Sequence, residues 1–416
     1  MLSPRRLAGS DPGSKTFRQG THRTRSPDQT LREIQTAIEA AGISRIADLT
    51  GLDHIGIPVA AAYRPHARSV SVSQGKGLTL AAAMASAAME AIEGYHAEHI
   101  CAPLRVATVQ EMKAEPRVIS LTKVARTDVP LDDRAKLLWL EGIELCSDET
   151  RWLPLELVSS DYTRPAVGCC GAFQMSSNGL ASGNHMLEAI SHGICEVIER
   201  DANSLWLTSG VSHRTSRRLR LESVDDSEVG ALLSALEGAE VSVAVWETTT
   251  DVGVPSFICH LGDRRHRLAP LPYTSGSGCH PRREVALTRA ITEAAQGRVT
   301  RIAGAREDLE VALYSAEETL KRNVAFERLL SEQPAGRAFD TAPTADHESL
   351  LEDVHWEIEL LARAGMDEVV VVDLRRPEIG LAVVKVVIPG LEGLAEASNY
   401  APGERASQWQ RKQQAS

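Results

Sequence analysis

The hydrophobic positions of the chain follow two different periods, which predicts a mixture of helices and strands. Ser26 and Pro27 suit the N-cap and first residue of a helix, and Gly42 marks its end. Residues 78–98, rich in Ala and Met, and residues 183–202, aliphatic with interspersed acids, each predict a long helix. Apolar runs typical of strands span 137–145, 152–158, 240–250, 254–261, 367–374 and 382–390. Because no regular strand–helix–strand rhythm connects these elements, we predict an α+β fold with helices packed on sheets.

Both ends of the chain are more polar than the region between them. Residues 1–24 are rich in Gly, Ser and Arg, which predicts a disordered tail, and residues 401–416 predict a second, polar tail. With 416 residues, the chain is long enough for one large domain or two ordinary ones. We predict one domain over 25–400, with its sequence motifs within 71–310 and a C-terminal α/β part over 345–394.

Composition and charge argue against several classes of protein. The hydrophobic fraction of 43% and the charged fraction of 24% are ordinary, and the net charge of −11 disfavours binding to nucleic acid. No run of about 18 apolar residues could span a membrane, and the basic N-terminus lacks the apolar core of a secretory signal. The cysteines form no CxxC pair, and their odd number does not suggest a disulfide framework. We therefore expect a cytoplasmic protein with reduced thiols, in which Cys169 and Cys170 pack at a turn.

One plan recurs three times along the chain. A strand-like lead runs into a glycine turn, a helix follows, and the helix carries two acidic or amide residues three positions apart. The turn glycine and its pair are Gly77 with Glu90 and Glu93, Gly183 with Glu196 and Glu199, and Gly278 with Glu293 and Gln296. The spacing from the glycine to the first acid is 13, 13 and 15 residues. This repetition predicts that the three segments contribute to one site.

Helix geometry places the acids of the second segment on one narrow face. At about 100° per residue, Glu199 lies about 20° round from Glu188, His192 about 40° and Glu196 about 80°. Aliphatic residues cover most of the remaining surface of this helix. The first helix is apolar nearly all round, so we expect it to be buried and its glutamates to need cations.

The acids and the glycine turns suit different parts of the same ligand. Glutamates without neighbouring Lys or Arg favour a hard divalent ion such as Mg²⁺, and glycine turns before helices, together with Lys76, favour phosphate oxygens. We therefore predict a site for a nucleoside triphosphate. The segment SQGKGLT does not match the spacing of a Walker A loop. The alternative is a set of amphipathic helices with solvated acidic faces, which the threefold repetition disfavours.

Three motifs in this order resemble those of the YcaO family. They are SxGKG with SAxxExxE over 73–93, SNGLAxG with ExxERDA over 177–202, and RAxTExxQxR over 289–298. The resemblance covers about residues 20–394, including the final VVKVVIPGLE. It implies an α+β fold with mixed sheets flanked by helices and an ATP site without a P-loop. It also implies ATP and Mg²⁺ as cofactors, phosphorylation of a peptide-bond oxygen, and attack by a nucleophile on the activated carbon.

The resemblance also implies roles for individual residues. The metal ligands it implies are Glu90, Glu93, Glu196, Glu199 and Glu293. The ATP-binding residues it implies are Arg23, Thr30, Ser73, Lys76, Asn184, Glu188, Arg200, Arg289 and Arg298. Arg200, Glu199 and Gln296 are the catalytic candidates. His192, on the acidic stripe, is either a base or a packing residue, and packing is the commoner role for a histidine on such a stripe.

The nucleophile decides the product, which would be an azoline, a thioamide or an amidine. Azoline-forming members commonly end in a PxPxP tail, whereas this sequence ends in KQQAS and carries no fused leader-peptide-binding domain. Residues 296–309 resemble members encoded with a TfuA partner, which favours a thioamide made from a sulfide source. An azoline-forming cyclodehydratase is the second hypothesis, and a non-catalytic accessory factor for methylthiolation of ribosomal protein S12 is the third. Expected partners are a peptide or protein substrate, a TfuA-like or other sulfur-delivery protein and a second copy in a homodimer.

Overall fold

The structure is a computed structural model that describes residues 5–164, 168–264, 271–309, 311–332, 336–397 and 399–415. Its helices are α1 (Arg5–Ala8), α2 (Pro27–Glu33), α3 (Gln35–Ala40), α4 (Leu80–Glu98), α5 (Val109–Lys113), α6 (Met186–Thr208), α7 (Val211–Ser216), α8 (Ser227–Gly238), α9 (Arg283–Ala303), α10 (Ala316–Glu332), α11 (Leu350–Arg363) and α12 (Glu404–Ala415). Its strands are β1 (Arg45–Asp48), β2 (Val59–Tyr63), β3 (Val72–Lys76), β4 (Arg105–Thr108), β5 (Arg126–Thr127), β6 (Lys136–Glu144), β7 (Thr150–Pro154), β8 (Leu180–Gly183), β9 (Val241–Glu247), β10 (Ser256–Asp263), β11 (Thr274–Cys279), β12 (Val370–Asp373), β13 (Ala382–Val387) and β14 (Tyr400–Ala401).

The strands form three sheets and one short pair. One sheet has the order β1-β2-β3, another β11-β10-β9, and the largest β4-β6-β12-β13-β8 with β7 beside β6, while β14 pairs with β5. The predicted α+β class is confirmed, and each apolar run singled out in the sequence overlaps a strand. Every ladder between these described strands is antiparallel, in place of the mixed pairing that we expected.

The largest sheet is buried on both faces. Val370 and Val372 of β12 pack into the core under α4, whereas Val371 packs on the opposite side with α6 and α11. This alternation follows from the two-residue period of a strand. A third core joins α8 and α9 to the β9–β11 sheet. The sheets therefore fix the positions of α4, α6 and α9.

Small residues let each of these three helices approach its own strand closely. A Cβ at Gly75 of β3 would lie 2.1 Å from the carbonyl oxygen of Ala83 on α4. Gly278 of β11 meets Ala286 of α9 in the same way, also at 2.1 Å. Both contacts join residues eight positions apart, so Gly278 corresponds to Gly75 and not to the turn glycine Gly77.

This correspondence corrects the spacing of the third segment. Two positions after Gly278 stands His280, which therefore takes the place of Gly77 and Gly183. Since 293 − 280 = 13, Glu293 is 13 residues from its turn position, as in the other two segments. The three strand–helix units are thus closer in geometry than the glycine spacing of 15 indicated.

The three units also pack against one another in a closed cycle. α4 contacts β8, α6 contacts β11, and α9 contacts β3, in addition to the strand that precedes each helix. Each helix therefore lies between its own strand and the strand of the next unit. This arrangement turns the acidic faces of the three helices toward a common centre.

The predicted disordered tail is wrong for residues 5–24. Lys15 is buried, and its Nζ lies 2.6 Å from Oδ2 of Asp353 on α11. His22 is also buried, and the Thr24 amide donates to Glu188 of α6. The partners of this segment are more than 150 residues away, so its local composition does not reveal its order. Residues 1–4 of the predicted tail lie outside the described residues.

The C-terminal segment is also folded onto the rest of the chain. Residues 404–415 form α12, in which Arg405 donates to the buried Asp201 carboxylate at 2.8 Å. The indole of Trp409 donates to the hydroxyl of Ser209 at 3.0 Å. The loose polar tail expected over 401–416 is therefore a helix anchored to α6, with residue 416 outside the described range.

Two further sequence expectations concern membranes and thiols. No helix within the described ranges has the length and apolarity needed to cross a bilayer. No disulfide joins any of the cysteines, all of which lie within the described residues. Cys170 is half-buried, and its amide and thiol both approach Oε2 of the buried Glu156, at 3.3 and 3.6 Å. This contact agrees with a packed cysteine at a turn.

The Lys15–Asp353 ion pair allows a direct test of the N-terminal fold. We expect Lys15→Ala to lower the free energy of unfolding by about 3 kcal/mol, because it leaves Asp353 buried without its ammonium partner. Lys113→Ala is the control, since Lys113 forms an exposed pair with Asp133 and should cost below about 1 kcal/mol. Urea denaturation measures both values, and equal costs would contradict an ordered N-terminal segment.

Candidate functional site

The second residue of each acidic or amide pair is bound to the strand of the next unit. A serine hydroxyl donates to the carboxylate in two units, and a glutamine amide donates to a backbone carbonyl in the third. The hydrogen bonds are Ser182 to Glu93 at 2.6 Å, Ser277 to Glu199 at 2.8 Å, and Gln296 to the Gln74 carbonyl at 3.4 Å. These contacts fix the side chains at the places where neighbouring units meet.

The first residue of each pair faces the space between the helices. Glu196 and Glu293 are partly buried, and Lys76 of β3 binds Glu293 with an Nζ–Oε2 distance of 2.7 Å. Glu90 is exposed, contrary to the burial that we expected for the glutamates of α4. Among the paired glutamates, Glu90 is the most exposed, because α4 turns this position toward solvent. The structure therefore brings the predicted carboxylates near one another: Glu293 acts on the pKa of Glu90, Glu90 and Glu196 on that of Glu93, and Glu199 on that of Glu196.

Two carboxylates of this centre, those of Glu93 and Glu196, are not fully compensated by positive charge. Burial raises the pKa of Glu93 to about 8, and the nearby Glu90 and Glu196 raise it further against the hydrogen bond from Ser182. Burial likewise raises the pKa of Glu196 to about 7, and Arg200 offsets only part of this rise. Burial also acts to raise the pKa of Glu293, but Lys76, Arg200 and Arg289 together outweigh burial, and the pKa is lowered. A bound cation would stabilise the ionised form of Glu93 and Glu196.

Arg200 stands between two of these acids without forming a close pair with either. Its terminal nitrogens lie 3.9 Å from Oε1 of Glu196 and 3.9 Å from Oε1 of Glu199, and its side chain is 28% exposed. Burial lowers the pKa of Arg200, but Glu199 and Glu196 raise it more, so the guanidinium stays charged. The Nε of Arg200 is buried and has no hydrogen-bond partner in the described structure. This donor is available to an anionic ligand.

The available donors and acceptors fit a divalent cation with phosphate. The Nε of Arg289 and the Oε1 of Gln296 are also buried without partners among the described residues. Within the same ranges no three His, Cys, Asp or Glu side chains converge closely enough to hold a metal by themselves. Mg²⁺ is usually bound by one or two carboxylates together with phosphate oxygens and water. The residues present therefore suit a metal that arrives with a nucleotide.

The N-terminal segment closes one side of the centre through Glu188. Thr24 donates to Oε2 of Glu188 from both its amide and its hydroxyl, at 3.0 Å each. Asn184 donates to Oε1 of Glu188 from its backbone amide at 3.2 Å and from its side-chain amide at 3.1 Å. The Nε of Arg23 lies 3.7 Å from the same oxygen. Thr30 in turn donates to Oδ1 of Asn184 at 2.9 Å. Sequence analysis grouped four of these residues but missed Thr24, which adjoins Arg23 in the same motif.

A match to a known protein family identifies the family to which this centre belongs. The profile described as "YcaO cyclodehydratase, ATP- and Mg²⁺-binding" matches residues 74–392, which include all three strand–helix units. The chain belongs to the YcaO family. ATP and Mg²⁺ are accordingly its cofactors, as the donor set of the centre indicated.

Similar proteins include two curated relatives. A protein of Rhizobium leguminosarum bv. trifolii, named from its position in the tfuA 3′ region, is 35% identical over 378 residues, covering 88% of both chains. A protein of Methanothermobacter thermautotrophicus is 34% identical over 377 residues, covering 88% of this chain and 94% of its own.

Two solved structures have the same YcaO fold. YcaO from Methanopyrus kandleri, bound with AMPPCP and Mg²⁺, has a TM-score of 0.74 at 24% identity, with 94% of this chain and 99% of that chain covered. A heterocyclase in complex with substrate and cofactor has a TM-score of 0.74 at 23% identity. This chain covers only 54% of that heterocyclase, so the likeness concerns the fold alone.

Two predicted ATP-binding residues are buried in the structure. Arg298 is 1% exposed, and its Nε donates to Oδ2 of Asp53 at 2.8 Å while Nη2 lies 3.0 Å from Asp263. These pairs give Arg298 a structural role, and its predicted contact with ATP stays a prediction. Ser73 is buried within β3 beside Gln74, so its predicted contact with ATP stays a prediction.

Two histidines of this YcaO site carry neutral rings. Burial, with Arg289 and Arg23, lowers the pKa of His192 well below its usual value, which leaves both the base role and the packing role open. His280 was missed by sequence analysis, and its pKa is lowered well below the usual value by burial and by His22. Its Nδ1 accepts from the Arg282 amide at 3.0 Å. The signal that could have revealed it is its position, 13 residues before Glu293.

A buried lysine was also missed. Lys385 lies in β13 and is 2% exposed, and its Nζ donates to the Ser176 carbonyl. Burial lowers the pKa of Lys385 to about 8, against the opposing effect of Glu196. The sequence feature that could have revealed Lys385 is its position as the single charged residue in the apolar run AVVKVV.

The raised pKa values predict a pH dependence for cation binding. Without metal, Glu196 and Glu93 hold protons below about pH 7 and 8, so bound Mg²⁺ must displace them at neutral pH. We expect Mg²⁺ affinity, with a non-hydrolysable ATP analogue present, to rise between about pH 6 and 8. Calorimetry in two buffers of different ionisation enthalpy measures the proton release. Binding without proton release in that range would contradict the assignment of these two ligands.

Proposed function

We propose that this chain uses ATP and Mg²⁺ to activate a backbone amide of a peptide, and that sulfide then converts the amide to a thioamide. The observation that carries the first part is the centre itself, where the under-compensated Glu93 and Glu196 adjoin arginine Nε donors that have no hydrogen-bond partner among the described residues. The cation ligands in this proposal are Glu90, Glu93, Glu196, Glu199 and Glu293. The ATP contacts are Arg23, Thr30, Ser73, Lys76, Asn184, Glu188, Arg200 and Arg289.

The bound nucleotide supplies the phosphoryl group that makes the amide oxygen a leaving group. In this proposal Arg200 offsets negative charge on that group, because its guanidinium is charged and its Nε has no hydrogen-bond partner in the described part of the chain. Ser277 and Ser182 hold Glu199 and Glu93 in place, which avoids rearrangement of the acids during transfer. Sulfide then adds to the activated carbon, and phosphate leaves with the former amide oxygen, so that C=O becomes C=S. The neutral ring of His192 offers an acceptor for a proton released at this stage.

The choice of a thioamide rests on the relatives and on one segment. The Rhizobium relative is named from the tfuA 3′ region, and residues 296–309 resemble members encoded with TfuA. We therefore propose a TfuA-like partner as the source of sulfur. A homodimer also stays a prediction, which sedimentation equilibrium would test. Azoline formation is the second candidate, since the family profile is described as a cyclodehydratase.

The test combines product mass with ATP turnover. Purified protein is incubated with Mg²⁺, ATP, sulfide and peptides encoded beside the gene, with and without a TfuA-like protein. An increase in peptide mass that matches exchange of oxygen for sulfur supports the proposal. A decrease that matches loss of water supports azoline formation instead. Mg²⁺-dependent ATP binding with no turnover and no change in any peptide would favour a non-catalytic accessory factor.

A further inference from the structure

The side-chain contacts of Arg200 in the described structure do not fix the direction of its guanidinium. Its terminal nitrogens lie 3.9 Å from carboxylate oxygens of Glu196 and Glu199, which is longer than a hydrogen bond. Its Nε has no hydrogen-bond partner among the described residues. A long side chain without close partners keeps much of its rotamer freedom. The direction of Arg200 therefore depends on the backbone of α6 and on the residues packed around it.

The loop of residues 391–397 is held beside Arg200 by the next residue of α6. The backbone amide of Glu392 donates to Oδ1 of Asp201, which is fully buried, at 2.9 Å. Burial lowers the pKa of Arg200, and the carboxylates that raise it are those of the candidate site and, more weakly, that of the exposed Glu396 on this loop. The loop thus contacts Asp201 at one point and brings a carboxylate near Arg200 at another.

Arg405 of α12 binds the same aspartate from the opposite direction along the chain. Its Nε donates to Oδ1 and Oδ2 of Asp201 at 2.8 and 3.0 Å, and its Nη2 donates to Oδ1 of Asp251 at 2.5 Å. The carboxylate of Glu392 accepts from two backbone amides at the start of α12, at 2.9 and 2.7 Å. These contacts connect α6, the loop and α12, with Asp201 at the point where all three meet.

We propose that Arg405 is a positioning residue for Arg200. By binding Asp201 it holds the loop 391–397 and α12 against α6, and the fixed helix and loop direct the guanidinium of Arg200 toward the phosphoryl group. Arg405 itself does not touch the nucleotide, because its side chain is 12% exposed and binds two aspartates. The inference rests on the proposed role of Arg200 in phosphoryl transfer, and it is independent of which peptide product is formed.

A second anchor of α12 on α6 supplies a matched control. The indole of Trp409 donates to the hydroxyl of Ser209, nine residues after Arg200. We expect Arg405→Gln to lower ATP turnover by about 10²-fold, because a displaced catalytic group loses its geometry in the transition state. Arg405→Lys keeps a cation beside Asp201 without the planar fork and should lose about tenfold. Trp409→Phe should stay within about threefold of the parent protein.

Two nucleotide complexes report on Arg200 without any peptide. ADP with Mg²⁺ and aluminium fluoride resembles the phosphoryl group during transfer, so its affinity should fall by the same factor as turnover in each Arg405 variant. Affinity for a non-hydrolysable ATP analogue should stay within about twofold, because that complex resembles the ground state. An equal loss of affinity for both complexes would overturn the inference, since general loosening of the site weakens both.

The deciding measurement combines Arg405→Gln with Arg200→Lys. A residue that acts through Arg200 has little further effect once Arg200 is replaced. The double variant should therefore bind the aluminium fluoride complex within about threefold of Arg200→Lys alone. Two losses that multiply would show that Arg405 acts independently of Arg200. The same loss in Trp409→Phe as in Arg405→Gln would likewise overturn the inference.

Folding and the proposed reaction are controlled separately. Thermal melts followed by circular dichroism show whether each variant is folded at the assay temperature. If Arg405→Gln is not, the cycle is measured with Arg405→Lys, whose loss should disappear in the Arg200→Lys protein, and a folded Arg405→Lys protein without any loss would overturn the inference. The expected cycle in a protein that modifies no peptide would refute the proposed reaction and leave the role of Arg405 standing.

Discussion

Replacement of Glu199 by alanine is expected to reduce ATP turnover by about 10²–10³-fold. Glu199 is buried, accepts from Ser277 at 2.8 Å, and lies 3.9 Å from the guanidinium of Arg200. The variant would remove one proposed oxygen ligand for the cation, and with it one of the two acids that lie 3.9 Å from Arg200 in the described structure. Steady-state turnover of ATP with Mg²⁺ and a responsive peptide measures the loss.

Two further variants separate charge from shape at this position. Glu199→Gln keeps the side-chain volume and an acceptor for Ser277, so it should be as inactive as the alanine variant if the negative charge is what matters. Ser277→Ala keeps the charge and removes only the hydrogen bond, and should cost less than about tenfold. An active Glu199→Gln protein would show that the acid is structural and that the metal assignment is wrong for it.

The position of the acids could be predicted because helix geometry is regular. Glu196 and Glu199 fall on one stripe of α6 by the 3.6-residue period alone, and the structure turns that stripe toward the other two helices. The repetition of strand, turn and helix was equally visible. What the spacing could not show was which residues correspond in the third unit. That correspondence required the close contact of Gly278 with Ala286 and identified His280 as the turn residue.

The fold of the two ends could not be predicted from local composition. Lys15 and Asp353 are 338 positions apart in the sequence, and Arg405 and Asp201 are 204 apart. Segments rich in charge and glycine are predicted to be disordered, because the residues near them in the sequence offer no core in which to bury them. Here the buried partners are supplied by α11 and α6. Only the tertiary structure reveals that these charged residues are paired.

The different positions of Arg289 and Arg298 could have been predicted from helix geometry. On α9, Arg289 is four residues before Glu293, about 40° away around the helix, and so shares its face. Arg298 is five residues after Glu293, about 140° away, and so points elsewhere. The family motif includes both arginines and does not separate a ligand-binding residue from a structural one. Their angular positions do, in agreement with the ion pairs of Arg298.

Arg200→Lys is expected to reduce ATP turnover by about 10³-fold, close to the contribution of an arginine to phosphoryl transfer in other enzymes. Lysine keeps the positive charge beside Glu196 and Glu199 but removes the planar fork and its Nε donor. Nucleotide affinity should fall much less than turnover, because the charge that attracts phosphate is retained. Turnover and analogue binding, measured on the same protein, separate the two effects.

Arg298→Lys is the matched control, because both arginines occupy positions of the family motifs while only Arg200 faces the centre. Arg298 is fully buried between Asp53 and Asp263, so this variant should lower the free energy of unfolding by about 3 kcal/mol. The fraction that stays folded should turn over ATP within about threefold of the parent protein. A stable Arg298→Lys protein with the same loss of turnover as Arg200→Lys would mean that Arg298 acts on the nucleotide. The two variants therefore test whether the burial and pairing of an arginine, rather than its place in a motif, decide its role.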